Sequence, residues 1–365
     1  ASPGEEPRDI YTFKRPNWHL AVGREHRAVR AAAGLFDQTS FAKFLLKGPD
    51  AEAALQWIAA NRVDKPVGSI IYTQMLNARG GIECDLTCVR TNFDEYYIVT
   101  GPGFATHDFN WIARNVPAGM NARLVDVTSS NAVLSLFGPR ARQILERLTK
   151  DDISHTGHPF ATAKKIGVAG CPVLALRITY VGEQGWELHL PTEYAATVYD
   201  ALHRAGADLG LQNAGYRAIE TLRLEKGYRA WAADIGPDHT PDEAGLGWAV
   251  KMNSSIPFKG REAVEAQRKA GFKKMLATFT TDGGTILSGR ETIYRDGVRC
   301  GWLSSGGYGH TLGLSIGMGY VRADHVIDQG HVLSGTYELE VATTRVPATV
   351  TLSPLYDPTM ARVKS

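Results

Sequence analysis

Several short stretches of this chain alternate apolar and polar residues with a period of two, and others repeat at helical spacing. In 82–89, Ile82, Cys84, Leu86 and Cys88 fall on one face and Glu83, Asp85 and Thr87 on the other, the pattern of a half-buried strand. A strand at 69–76, the turn Asn77-Ala78-Arg79-Gly80-Gly81 and a strand at 95–99 complete a β-meander, and 104–114 predicts a helix. Upstream, 24–36 reads as a helix closed by Gly34, 40–47 as a strand, and 51–60 as a helix with Asp50 at its N-cap. A similar layout returns later: a strand at 173–180, a turn through Gly182 and Gly185, a strand at 186–190, and a helix to about Ala205 capped by Thr192. Trp186, Leu188 and Leu190 form its apolar face, with Glu187 and His189 opposite. The two halves read as related α+β units with antiparallel strands. A further helix runs from Gly215 to a stop at Gly227.

After about residue 252 the texture changes. A short helix ends near Gly271, and the chain then becomes short strands punctuated by glycines such as Gly283-Gly284 and Gly306-Gly307, a pattern that suggests an all-β barrel or sandwich. The expected division is a two-part α+β region over 1–255, with halves of about 20–125 and 126–255, and a β domain over 256–365. The length of 365 residues agrees with two or three domains.

Composition narrows the function. Forty Lys and Arg against 38 Asp and Glu leave a net charge of +2, which argues against a nucleic-acid binder. No apolar run approaches the ~20 residues that span a bilayer. The opening Ala1-Ser2-Pro3-Gly4-Glu5-Glu6 has neither the basic nor the apolar region of a secretory signal and reads as a processed or excised product. Four scattered cysteines suit a reducing compartment, and a cytoplasmic or, in a eukaryote, mitochondrial-matrix location is expected. Cys84 and Cys88 lie ~13 Å apart along one strand, beyond disulfide reach, and read as core residues. With no HExxH or Cys/His quartet, no metal site is expected. Dinucleotide, phosphate-loop and nucleophile-elbow signatures are missing too.

The informative residues are the acids on the polar strand faces. Composition alone favours solvated faces. The sharper reading directs Asp85 and Glu187 into an internal cavity, because a carboxylate accepts two hydrogen bonds from a heterocycle presenting adjacent N–H groups.

The segment 79–86 (Arg-Gly-Gly-Ile-Glu-Cys-Asp-Leu) resembles the GGI-x-x-D-[LI] signature of the glycine-cleavage T-protein (aminomethyltransferase) family. Residues 180–187 (Tyr-Val-Gly-Glu-Gln-Gly-Trp-Glu) resemble its Y-x-G-E-x-G-x-E, and 215–227 is similar to its A-R-x-x-L-R-L-E-x-G helix. Within the family, 228–234, 237–241, Arg24-Glu25-His26 and 354–358 resemble the C-terminal folate part of sarcosine and dimethylglycine dehydrogenases and oxidases. The resemblance implies a T-protein-like fold of two related antiparallel α+β units plus a C-terminal β-barrel. It implies tetrahydrofolate as cofactor, with Asp85 as the catalytic acid near the N5/N10 edge and Glu187 pairing with the pterin. Tyr180, Arg217 and Tyr356 would be further folate contacts, although Arg217 alternatively pairs with Glu220 one turn on and Tyr180 is alternatively a strand-end aromatic. One departure is Cys84, which stands where T-proteins commonly carry a first acid, with Glu83 as the displaced one. The implied reaction takes the carbon released from an N-methyl amine to give 5,10-methylenetetrahydrofolate. The partners would be a small methyl or formaldehyde donor and a flavin- or metal-dependent demethylating domain or subunit. Alternatives are methyl transfer from sulfur or oxygen to folate, and a non-catalytic folate-binding role.

Overall fold

The computed structural model describes residues 8–10, 12 and 14–365; the opening Ala1 to Glu6 lies outside them. The first elements are α1 (His19–Ala31) and β1 (Ala33–Asp37). The first α+β unit follows as β2 (Ala42–Lys47), α2 (Ala51–Ile58), β3 (Ile70–Leu76), β4 (Ile82–Asn92), β5 (Glu95–Thr100), α3 (Ala105–Asn115) and β6 (Arg123–Asp126). The second unit comprises β7 (Asn131–Phe137), α4 (Ala141–Glu146), β8 (Ala163–Val168), β9 (Cys171–Leu176), β10 (Gly185–Pro191), α5 (Ala195–Gly206) and β11 (Leu211–Asn213).

The two sheets share a topology. The first is ordered β3-β4-β5-β2-β6, and the second, read in the same sense, β8-β9-β10-β7-β1-β11. Strands of equivalent rank take equivalent places, except that β1 is wedged between β7 and the last strand. There it runs antiparallel to β7 and parallel to β11. The chain's first strand is therefore lent to the second sheet.

The period-two pattern explains why each sheet has one dry face. In β4, Ile82, Cys84, Leu86 and Cys88 are buried while Glu83, Asp85 and Thr87 keep partial access to water. Cys84, Leu86 and Cys88 pack with Phe44, Leu46 and Ile98 under Leu55 and Ile58 of α2 and Ile112 of α3, while Ile82 joins a separate cluster with Leu76, Ile235 and Leu246. In the second unit Trp186, Leu188 and Leu190 pack under Ile144 and Leu145 of α4 and Val198 and Leu202 of α5. Each such aliphatic side chain stabilises the fold by about 1.5–3 kcal/mol on burial. The four cysteines are free thiols.

The opposite faces of the two sheets meet. Val89, Tyr97 and Val99 from the first sheet and Leu176 from the second form one buried cluster, and the Tyr97 hydroxyl lies 3.0 Å from His189 Nδ1 across the seam. The polar faces thus look into a junction between units.

Helix α6 (Tyr216–Lys226) ends at Gly227, whose φ of +68° is the left-handed cap read from the sequence. Then come α7 (Arg261–Ala270) and β12 (Phe272–Thr281), β13 (Thr292–Arg295), β14 (Val298–Gly309), β15 (Leu314–Ile327), β16 (Tyr337–Val341) and β17 (Thr344–Thr351). These six strands close as a barrel, β12-β15-β14-β13-β16-β17. Arg223 of α6 clasps it: its guanidinium donates to Asp234 at 2.7 Å, and Ser305 of β14 donates to the same carboxylate at 2.7 Å.

Some expected elements differ. The helix placed at 24–36 is instead α1, which stops at Ala31, followed by β1; long-range pairing to β7 and β11 overrides the local helical preference. Asp50 makes no side-chain cap and accepts from Asn121 N at 2.7 Å. Thr192 does not cap α5 either: it donates to Ser129 O at 2.9 Å and opens a single 3-10 turn. The strand placed at 173–180 is β9, which ends at Leu176, so Tyr180 sits in a connecting loop.

Candidate functional site

Register builds the centre of the site. Asp85 of β4 stands directly across from Gln74 of β3, and Thr87 across from Tyr72. Gln74 Nε2 donates to Asp85 Oδ1 at 2.8 Å, and the Tyr72 hydroxyl also hydrogen-bonds the carboxylate. Burial pushes the Asp85 carboxyl up to about 6; the two hydrogen bonds and the nearby Arg229 pull it down, and the neighbouring Asp108 pushes it further up. A carboxyl near 6 exchanges its proton close to neutral pH, which suits a proton-transfer role. Tyr72 is itself buried, which pushes its phenol well up, so it remains a donor. Its ring stacks on Trp248, with centroids 5.8 Å apart.

The loop after α6 closes one side. Trp231 Nε1 donates to Ile82 O at 3.2 Å, and Ile82 N donates to His239 O at 3.0 Å. Close approach here depends on Gly81, where a Cβ would fall 1.8 Å from Pro237 O. Tyr180 donates its hydroxyl to Arg229 O at 2.7 Å and stacks on Tyr228; burial raises its phenol, with the Asp85 charge a minor contributor.

Glu187 faces the seam from the second sheet. Its Oε2 is 3.4 Å from His189 Nε2, whose other nitrogen meets Tyr97. Tyr97 thus bridges the units and holds the imidazole that orients Glu187.

The structure thus places Tyr180 against the loop that carries Arg229, whose charge also reaches Asp85, and sets Glu187 on the face of the second sheet that looks into the junction. It does not bring Arg217 or Tyr356 to them. Arg217 pairs with Asp9 at 2.5 Å and stacks on Trp18, beside a separate cavity that neither Asp85, Tyr180 nor Glu187 lines. Glu220, the alternative partner of Arg217, pairs with Arg223 at 2.8 Å instead. Tyr356 donates to Glu183 at 2.5 Å, and Arg30 lies over its ring at 3.8 Å. Tyr72, Gln74, Asp108 and Arg229 escaped the reading of the sequence. Gln74, a buried amide inside the apolar run of β3, was the available signal for two of them, because Tyr72 shares its face two residues away. Asp108 accepts from Thr100 at 2.6 Å and from His107 at 2.9 Å. With Cys84 and His107 it forms a group whose candidate ligand atoms lie within 4.8 Å of one another, although burial holds the Cys84 thiol well above its ordinary range. Among the described residues no helix is long and apolar enough to cross a membrane.

The GCVT N-terminal domain model matches residues 5–254, and the glycine cleavage T-protein C-terminal barrel domain model matches 274–357. The chain belongs to the glycine-cleavage T-protein family. The T-protein barrel corresponds to β12 through β17 and its immediate sequel. Human mitochondrial sarcosine dehydrogenase is 39% identical over 372 residues, covering 98% of this chain and 40% of that protein. An aminomethyltransferase from Halothermothrix orenii is 36% identical over 318 residues, covering 87% of both. The chain thus spans less than half the length of the dehydrogenase and most of the length of the transferase. The structure of aminomethyltransferase T from Bartonella henselae superposes with a TM-score of 0.82 at 24% identity, covering 96% of this chain and 94% of that one, which fixes the T-protein fold. This is an aminomethyltransferase-like T-protein domain related to sarcosine dehydrogenase.

Proposed function

We propose that this T-protein domain binds tetrahydrofolate in the junction between its two sheets and loads it with the carbon released by N-demethylation of a methylated amine, yielding 5,10-methylenetetrahydrofolate. The observation that carries the reading is Asp85: a carboxyl near 6, held by Tyr72 and Gln74 on the strand face that looks toward the second sheet. The residues fit the cofactor. Gln74 Oε1 is buried without a hydrogen-bond partner, so an acceptor stands ready for a ligand N–H beside Asp85. Tetrahydrofolate, when bound, supplies the nitrogen nucleophiles that accept the one-carbon unit.

The protein's own groups do the rest. Asp85 takes up or returns a proton, and its charge stabilises positive charge developing beside it. Tyr72 and Gln74 keep the carboxylate oriented. Glu187 accepts paired N–H donors, with His189 and Tyr97 fixing its direction. Tyr180, anchored through Arg229 O, supplies a rigid wall. Oxidation of the amine belongs to a flavin- or metal-dependent domain or subunit, a role consistent with the large part of sarcosine dehydrogenase that this chain does not span.

Titration of tetrahydrofolate into the protein tests the proposal. Saturable binding is expected, with Glu187→Ala weakening it and Asp85→Ala lowering turnover far more than binding. No binding by the wild-type chain, or unchanged binding and turnover in both variants, would sink the reading. Product analysis separates the alternative: 5-methyltetrahydrofolate would mark transfer of an intact methyl group.

A further inference from the structure

The helix side of β4 carries chemistry that the folate reading leaves unused. Cys84 of β4 meets His107 and Asp108 of α3, and one ligand-type atom from each lies within 4.8 Å of the others. Their contacts are direct. The Cys84 thiol donates to the Asp108 carboxylate, and His107 Nδ1 lies 2.9 Å from Asp108 Oδ1. Cys84 stands where T-proteins commonly carry an acid, so a soft sulfur replaces a hard oxygen here. The three residues come from two elements distant in sequence, which is why no short spacing motif announces them.

The charge around the cluster is one-sided. The Asp108 side chain is 3% exposed and that of Glu83 15%, and among the described residues the ionic partner of each is His107. A buried carboxylate is ordinarily paired with a cation or bound to a metal, and an imidazole supplies charge only when protonated.

The neighbours are arranged as a metal's outer shell. Thr100 donates to Asp108 Oδ2 at 2.6 Å, leaving Oδ1 to the cluster. On the far side of the imidazole, Glu83 Oε2 lies 3.5 Å from His107 Nε2, and Asn77 holds the other Glu83 oxygen at 3.0 Å. A carboxylate behind the ring fixes the tautomer and direction of a metal-bound histidine. Ligand bonds of about 2.0–2.3 Å at tetrahedral angles put ligand atoms roughly 3–4 Å apart, so closure takes side-chain shifts of about an ångström at most. His107, 42% exposed, is free to make them and gives an ion a route from solvent.

We propose that Cys84 Sγ, His107 Nδ1 and Asp108 Oδ1 form a zinc site that ties β4 to α3, with a fourth coordination position open to water. Thiolate, imidazole and carboxylate together suit zinc and not the oxygen-seeking magnesium or calcium. On binding, the thiol proton leaves to solvent and His107 keeps its remaining proton on Nε2, facing Glu83. The site uses none of the residues assigned to folate and stands independently of that reading.

Titration of zinc chloride into the chelator-treated 365-residue chain tests this, with magnesium chloride as the comparison. One zinc per chain should bind and raise the melting temperature, and magnesium should do neither. Cobalt(II) in place of zinc should give the intense visible bands of tetrahedral coordination and a thiolate charge-transfer band in the near ultraviolet. Cys84→Ser should abolish that band. His107→Ala, at a side chain outside the core, and Thr100→Val should each weaken zinc binding at least about tenfold. No saturable zinc binding by the wild-type chain overturns the proposal, as does zinc binding indifferent to both His107→Ala and Cys84→Ser. Cobalt bound without a thiolate band overturns it too, because Cys84 is then no ligand. Magnesium binding as tightly as zinc would reveal an acidic patch and overturn it equally.

Discussion

Gln74 donates its amide to Asp85 at 2.8 Å, while its own carbonyl oxygen is buried beside the same carboxylate with no partner. An unpaired buried acceptor costs about 1–3 kcal/mol. The pair is thus poorly arranged for stability and well arranged to receive a donor.

The first prediction concerns stability against pH. The Asp85 carboxyl sits above its ordinary value, at about 6, so the folded state holds a proton that the unfolded chain has released between about 4 and 6. Ionising Asp85 therefore costs the fold, and the cost is complete above about pH 6. Asp85→Asn should be more stable than wild type at pH 7.5 by about 1–3 kcal/mol, and the advantage should vanish near pH 4. Denaturant melts at the two pH values check this.

The second concerns the pH profile of turnover. An Asp85 that must be ionised to take a proton makes activity fall as pH drops through about 6. Tyr72→Phe removes a donor that stabilises the charged form, so the falling limb should move upward by roughly one pH unit. An unmoved limb in the kcat/KM profile would show that the titrating group is another one.

Arg30 is the subject of the third. It donates to Glu225 at 3.1 Å, to Glu183 at 3.2 Å and to Val181 O at 2.6 Å, and all three ionic side chains are nearly inaccessible. Burial acting alone would raise Glu225, but the His26 hydrogen bond and charge, Arg30 and the Thr311 amide outweigh it and hold its carboxyl at about 2. Arg30→Met removes one cation from two buried carboxylates, while Glu183 keeps Arg362 at 3.0 Å and Glu225 keeps the Thr311 amide at 2.8 Å, so it should destabilise the protein by about 1–3 kcal/mol, read as a lower melting temperature.

The fourth uses Gly81. A Cβ there would meet Pro237 O at 1.8 Å and cannot be accommodated without moving the loop that carries Trp231 and His239 onto β4. Gly81→Ala should lower both stability and tetrahydrofolate affinity. Gly103→Ala, where a Cβ meets nothing, should change neither, and the two are compared by melting and titration.

Legibility in the sequence followed the range of the interaction responsible. The alternation in 82–89 and 186–190 specified which residues face the helices, because side-chain direction in a strand has period two whatever the strand pairs with. The barrel itself was legible, but its glycines were not turns: Gly306 and Gly307 lie inside β14 and Gly317 and Gly319 inside β15, where a Cβ would meet neighbouring atoms at 2.4–2.8 Å. The local pattern predicts a helix end over 33–36 because nothing nearby announces pairing with residues 134–137 and 211–213. Arg217 matched a family motif in sequence, yet its neighbour in space is Asp9, supplied by a segment that sequence order does not connect to α6.

What the sequence by itself determined was the content of the two polar strand faces, Glu83-Asp85-Thr87 and Glu187-His189, and the family to which they pointed. Tertiary structure alone decided that these faces look at each other across a junction, that Gln74 and Tyr72 set the proton affinity of Asp85, and that Arg217 belongs to another cavity. The reason is physical. A strand's facing is a property of its own backbone, whereas desolvation, cross-strand partners and the convergence of charges depend on which distant segments the fold brings within a few ångströms.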